Sequence, residues 1–347
     1  MANQKEKLNK LRLSSQQHLK FNIEMTIQSK CFYPFTKQLA SRIGQMTSFV
    51  WASYAGLWHI HREASAIAGL SAKPEWKKIE NYLVDGVPDR GGIDLKFITS
   101  KAWPEHQAVY SDFILAQGAV LYEEWCGELA RHNVLPPYKI NAETFQFPSG
   151  STSRKWTNWA ALDLSGAIPT SVFLTSEVQP KLTTLYAANI LNLDPLLRWY
   201  RFYKQIRNSK THHGGIARQE NVDAYALAIA TPLKSLGLKR DYSSPVPVIG
   251  QEIKIALSDA VLMLAIIQRI AYAFDSKYCH TVLAETDLEL RINKILLTIK
   301  PPKEALAARK ETWIRNFMER HGAVTPTTIA PTEKWLRDKN LIDIRTI

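Results

Sequence analysis

The sequence predicts an all-α protein, a mainly helical bundle with a small strand and loop insertion. Three observations lead there. Long stretches carry apolar residues at three- and four-residue intervals, the spacing that puts them on one face of a helix. Prolines and glycines stand where helices start and stop. Alternation of the strand kind is confined to 138–176 and to one short segment after residue 250.

Taken in order, 35–68 (FTKQLASRIGQMTSFVWASYAGLWHIHREASAIA) is the first amphipathic helix. Residues 70–105 mix glycine, proline and charge, with DGVPDRGG at 85–92 an evident loop. A second strong helix covers 105–131 and is stopped by Pro136 and Pro137. In 138–176, YKINAETFQF, SGSTSR and SVFLT read as short strands and loops. Helices resume at 179–192 and 194–211, where Asp194 suits an N-cap and Pro195 the first helical position. Gly214 and Gly215 supply the stop. After NVDAYALAIATPL come a proline-rich loop at 241–250 and QEIKIAL, which fits one short strand. Ser258 is placed to cap an apolar helix at 259–274, and 284–347 holds two more amphipathic segments and a short terminal one. Three regions follow: an N-terminal helical region (1–103), a helical bundle with insertions at 138–176 and 241–250 (104–276), and a C-terminal helical extension (277–347).

With 347 residues, 46% of them hydrophobic, the chain can bury a substantial core. Its net charge of +12 favours anionic partners, nucleic acid ahead of a membrane surface. Cys31, Cys126 and Cys279 are odd in number and far apart, which gives neither a zinc pairing nor a disulfide framework and fits a reducing compartment. The N-terminus lacks the apolar core of a secretory signal, and the most apolar run, 260–267, is closed by Gln268 and Arg269, short of a bilayer span. A cytoplasmic location without a membrane is expected. There is no Walker-type glycine loop, no Gly-x-Ser-x-Gly elbow and no His-Glu-x-x-His, so neither cofactor nor metal is expected.

Several polar or aromatic groups have ordinary explanations. His59 and His61, two apart on a helix, point about 200° from each other and do not suit one metal. Trp51, Tyr54 and Trp58 recur at helical spacing, as core or interface residues do. Trp199, Tyr200, Phe202 and Tyr203 surround a helix and predict burial, with a dimer contact as one way to achieve it. Lysines and arginines in 303–320 interleave with Glu304, Glu311 and Glu319, the pattern of a solvated face.

The stretch YKQIRNSKTHHGG (203–215) remains. Arginine and histidine together suit phosphodiester cleavage: a guanidinium can clamp the phosphate, and imidazole moves protons near neutral pH. Spacing alone does not single it out, because Arg-x(4–6)-His pairs occur four times: Arg12/His18, Arg207/His212, Arg207/His213 and Arg315/His321. Position does. The first pair lies in the polar N-terminus, and the last has little chain after it to build a scaffold. The 207–213 group ends one helix, is broken by Gly-Gly and precedes the long apolar helix.

RNSKTHH in this setting resembles the HEPN superfamily (higher eukaryotes and prokaryotes nucleotide-binding domain), over about residues 104–276. The resemblance implies a bundle of four or five helices that dimerises, with the Arg-polar-His motifs of two protomers facing each other as a metal-independent endoribonuclease site acting on RNA. It implies Arg207 as the motif arginine, Asn208 as the polar residue, and His212 as the histidine, with His213 fitting the longer permitted gap. An acidic residue on an earlier helix is matched by Glu123, with Glu124 second. Family members commonly serve as toxins or antiviral-defence effectors, which implies a growth-arresting or abortive role held in check by an inhibitory or activating protein partner. Two alternatives stay open: a non-catalytic helical module binding RNA or protein, with the Arg/His cluster serving anion binding or capping, and a nucleotide-binding member of the same superfamily.

Overall fold

The computed structural model describes residues 30–87, 93–132, 168–296, 307–320 and 328–341. In order the helices are α1 (Pro34–Ala68), α2 (Trp76–Val84), α3 (Leu95–Ser100), α4 (Trp103–Arg131), α5 (Val172–Glu177), α6 (Gln179–Leu191), α7 (Leu193–His212), α8 (Gln219–Ile229), a 3-10 turn (Leu233–Leu236), α9 (Leu257–Tyr278), α10 (Val282–Leu296), α11 (Ala307–Arg320) and α12 (Ile329–Asp338). Among the described residues there is no strand, only the isolated bridges Thr170–Thr281 and Ile216–Glu252. The all-α expectation holds.

The arrangement follows from α9. Its sequence, LSDAVLMLAIIQRIAYAFDSKY, is apolar on nearly every side, and such a helix must be covered on every side. Helices α1, α4, α6 and α7 cover it. By length and composition α9 could cross a membrane, yet 78% of its most apolar window is buried within the bundle. Close approach of α4 depends on Gly118: a Cβ there would lie 3.0 Å from Leu264 Cδ2 and 3.4 Å from Met263 Sδ. α8 packs on α7, α5 joins α6 to α12, and one main core runs from Cys31 to Leu341. The far end of α1 leaves it and forms a small second core with α2 and α3 around Ala64, Ile79 and Leu95.

Buried carboxylates tie distant segments to α9. Asp275, 1% exposed, accepts the backbone N–H groups of Phe32 (2.6 Å) and Tyr33 (2.9 Å), and so holds the start of α1. Asp259 is fully buried and accepts from the Ser243 and Ser244 amides and from Arg240, which fastens the proline-rich loop to the start of α9.

Several sequence expectations change. Residues 70–105 contain two short helices that the sequence reading did not place, α2 and α3, whose inward faces comprise only a few residues. SVFLT is not a strand: Ser171 accepts the Leu174 N–H at 3.1 Å and starts the helix α5. The rest of the predicted insertion, through residue 167, lies outside the described residues, as do Arg12, His18 and His321. Asp194 is not an N-cap, since α7 starts at Leu193 and Asp194 sits in its first turn. Ser258 likewise lies inside α9, whose N-cap is Ala256. QEIKIAL pairs only through the single bridge at Glu252 and makes no strand. Trp199, Tyr200, Phe202 and Tyr203 are all 0% exposed within one chain, so their burial needs no dimer contact. Trp51, Tyr54 and Trp58 are half-buried, with Trp51 and Tyr54 packed against the edge of the main core; Tyr54 and Trp58 pack on Trp103 of α4, and Trp51 on Tyr54.

Candidate functional site

The body of α7 explains how its end is held. Leu196, Trp199, Tyr200, Phe202, Tyr203 and Ile206 are buried completely, so the helix is clamped between α4, α8 and α9. The buried stripe runs out after Ser209, and Thr211 and His212 are exposed. His213 is the C-cap, and its N–H reaches the Ser209 carbonyl at 2.8 Å. Gly214 (φ +61°) and Gly215 (φ +79°) then turn the chain through the left-handed region that glycine enters without penalty. The Gly215 N–H returns to the Ser209 carbonyl at 3.0 Å, and the Gly215 carbonyl accepts from Ile253 at 2.8 Å. Asn221, 1% exposed at the start of α8, accepts the Ser209 hydroxyl (2.9 Å) and the Arg218 N–H (2.8 Å). The turn that follows the histidines is therefore fixed on both sides.

Arg207 and Asn208, one turn earlier, are half-buried, and Arg207 Nη1 donates to Asn208 Oδ1 at 3.1 Å. Asn208 and His212 are four apart, on one side of the helix. The rings of His212 and His213 have centroids 6.3 Å apart, at 63°. Among the described residues no hydrogen bond joins Arg207 or Asn208 to either histidine. The structure places the four groups on one helix end without locking them together.

The acidic candidate reaches α7 one turn earlier. Glu123 Oε1 lies 3.2 Å from the Nζ of Lys204, whose side chain is 4% exposed. Burial lowers the Lys204 pKa, and Glu123 opposes that shift. Arg207 is close enough for its charge to depress Lys204 further. Glu124 faces the other way and pairs with Arg42 of α1. The next acid along α4, Asp112, holds Lys210 at 2.8 Å. Each carboxylate that α4 presents to this end of α7 thus meets a lysine, and among the described residues none pairs with Arg207. The result is a guanidinium without an acidic partner, beside two imidazoles, at a helix C-terminus whose dipole favours cations.

Sequence reading missed Lys204 and Asn221. Lys204 precedes Arg207 by three residues, the spacing that stacks side chains on a helix, but its partner is 81 residues away in sequence. Asn221 is three residues after Arg218, the offset of a side chain that returns to an N-cap amide. That signal was present in the sequence. His61 and His106 lie with ring centroids 5.5 Å apart, and each has a ring nitrogen within hydrogen-bonding distance of a backbone carbonyl, Lys101 (3.1 Å) and Ile98 (2.9 Å). Among the described residues no three His, Cys, Asp or Glu side chains gather as a metal-binding group.

No family model matches the chain, and neither a curated protein nor a solved structure matches it.

Proposed function

We propose that this protein is a HEPN-like endoribonuclease that acts on RNA as a dimer without a metal ion, using Arg207, Asn208 and His212 or His213. One observation carries the reading: an arginine and two histidines stand on a packed helix end where the neighbouring acids are already taken by Lys204 and Lys210. Such a site has charge to offer an anion.

Arg207 would grip the scissile phosphate and Asn208 would orient it through the bond the two already share. In the cleavage, a base removes the proton of the 2′-hydroxyl, O2′ bonds to phosphorus, and the P–O5′ bond breaks as an acid protonates the leaving oxygen. The products are a 2′,3′-cyclic phosphate and a 5′-hydroxyl. Both proton transfers suit imidazole, and a two-fold dimer would supply one from each protomer. A cytoplasmic toxin or antiviral-defence effector restrained by a protein partner fits this activity. The second reading, a non-catalytic module that binds RNA or protein, draws on the dipole, which stabilises the same cations with no chemistry involved.

Purified protein incubated with total RNA in excess EDTA separates them. Cleavage is expected from the wild type, with a loss of about a hundredfold or more in Arg207→Ala and His212→Ala variants that stay folded. Equal behaviour of wild type and variants, with RNA binding kept, would establish the binding module instead.

A further inference from the structure

A cavity of about 690 Å3 lies between α1, α6, α9 and the turn after the 3-10 helix. It falls within the roughly 300–1,000 Å3 typical of small-molecule sites. Trp51, Leu185, Tyr186, Val261, Leu262 and Ala265 give it apolar walls. One side is cationic, with Lys239, Arg240 and Arg269, and no aspartate or glutamate lines it.

Arg240 already serves Asp259. Arg269 differs. Its guanidinium donates to three neutral acceptors: Asn189 Oδ1 at 3.1 Å, the Leu236 carbonyl at 3.1 Å and the Gly237 carbonyl at 2.6 Å. Gly237 makes this possible, since its φ of +77° turns the backbone toward Arg269 and a Cβ there would lie 3.2 Å from Nη1. Among the described residues no carboxylate pairs with Arg269, and burial lowers its pKa with no opposing charge to offset the shift. A partly desolvated cation without a counter-charge is costly, and here it is held in place at the edge of an apolar cavity.

We propose that this cavity binds a small amphipathic monoanion, a hydrocarbon-chain carboxylate, with its chain between α1, α6 and α9 and its head group at Arg269. Arg269 offers a cation that no carboxylate neutralises, the cavity volume suits a chain, and the walls supply the apolar contact that drives its burial. The site shares no residue with the Arg207 cluster, so it stands or falls independently of RNA cleavage.

The test titrates the full chain with dodecanoate, dodecanol and ATP, each below any micelle concentration, by calorimetry. Saturable binding of one dodecanoate per chain is expected, about tenfold or more tighter than dodecanol, because the charge-assisted bond is lost in the alcohol. Ala265→Phe, which fills the cavity from α9, is expected to abolish dodecanoate binding. Arg269→Gln is expected to reduce dodecanoate to the affinity of dodecanol. Should Arg269→Gln fail to fold, because it also holds Leu236 and Gly237, the alcohol comparison and Ala265→Phe decide alone. The proposal is overturned by an absence of saturable dodecanoate binding, by dodecanol binding equally well, by undiminished binding in folded Ala265→Phe, or by ATP binding in place of dodecanoate.

Discussion

At the scale of single residues, the end of α7 is defined by backbone conformation as much as by charge. Gly215 has open space around its missing Cβ, the nearest atom being Lys210 Cγ at 3.9 Å. The cost of Gly215→Ala is therefore all conformational, about 1–2 kcal/mol for an alanine at positive φ, and a urea melt should show it. Gly215 also supplies the carbonyl that Ile253 binds, so the same variant should loosen the turn behind the histidines. Much of this was legible in the sequence: Gly-Gly after two histidines announces a helix stop, and the basic end follows from composition. The fate of Glu123 was not. Nothing in AVLYEEW shows that Glu123 meets a buried lysine while Glu124 turns to Arg42, because both partners lie more than 80 residues away and only packing selects between them.

Among the elements, the long helices were the legible part, because each buries one broad face and has a marked beginning or end. Pro104 at the start of α4 and Gly214 after α7 are such marks. The short helices failed for the opposite reason. α2 buries only Ile79 and Val84, and α3 only Leu95, too few positions to show a period of 3.6. In SVFLT a valine and a phenylalanine weighed toward a strand, while Ser171 as a helix cap was decisive. The contact between α4 and α9 gives the strongest prediction at this scale. Gly118→Val places carbon atoms where Leu264 Cδ2 and Met263 Sδ already sit, and overpacking of this kind costs about 1–3 kcal/mol. Gly127, also on α4, has nothing within 4 Å of its Cβ position, so Gly127→Ala should leave the melting temperature unchanged or raise it. Differential scanning calorimetry of the two variants checks the contrast.

For the whole molecule, the tie between the start of α1 and α9 makes stability depend on pH. Burial outweighs the amide donors of Phe32 and Tyr33 and pushes the Asp275 pKa from 3.8 up to about 7. The folded chain thus holds this proton more tightly than the unfolded chain. The stabilisation is complete below about 3.8 and is lost as pH rises toward 7. The slope from this one group is at most about 1.4 kcal/mol per pH unit. Urea unfolding of wild type and Asp275→Asn at steps across that window should show the decline in the wild type and a flatter profile in the variant. The covering of α9 by α1, α4, α6 and α7 has a further consequence, for the order of events during synthesis. All four covering helices are synthesised before residue 257, with their apolar faces still waiting for the helix they pack on. A fragment ending before α9 should accordingly unfold without a cooperative transition. The Arg207 end of α7 is translated before α9, so a growing chain carries it without its packing partner until α9 has been added.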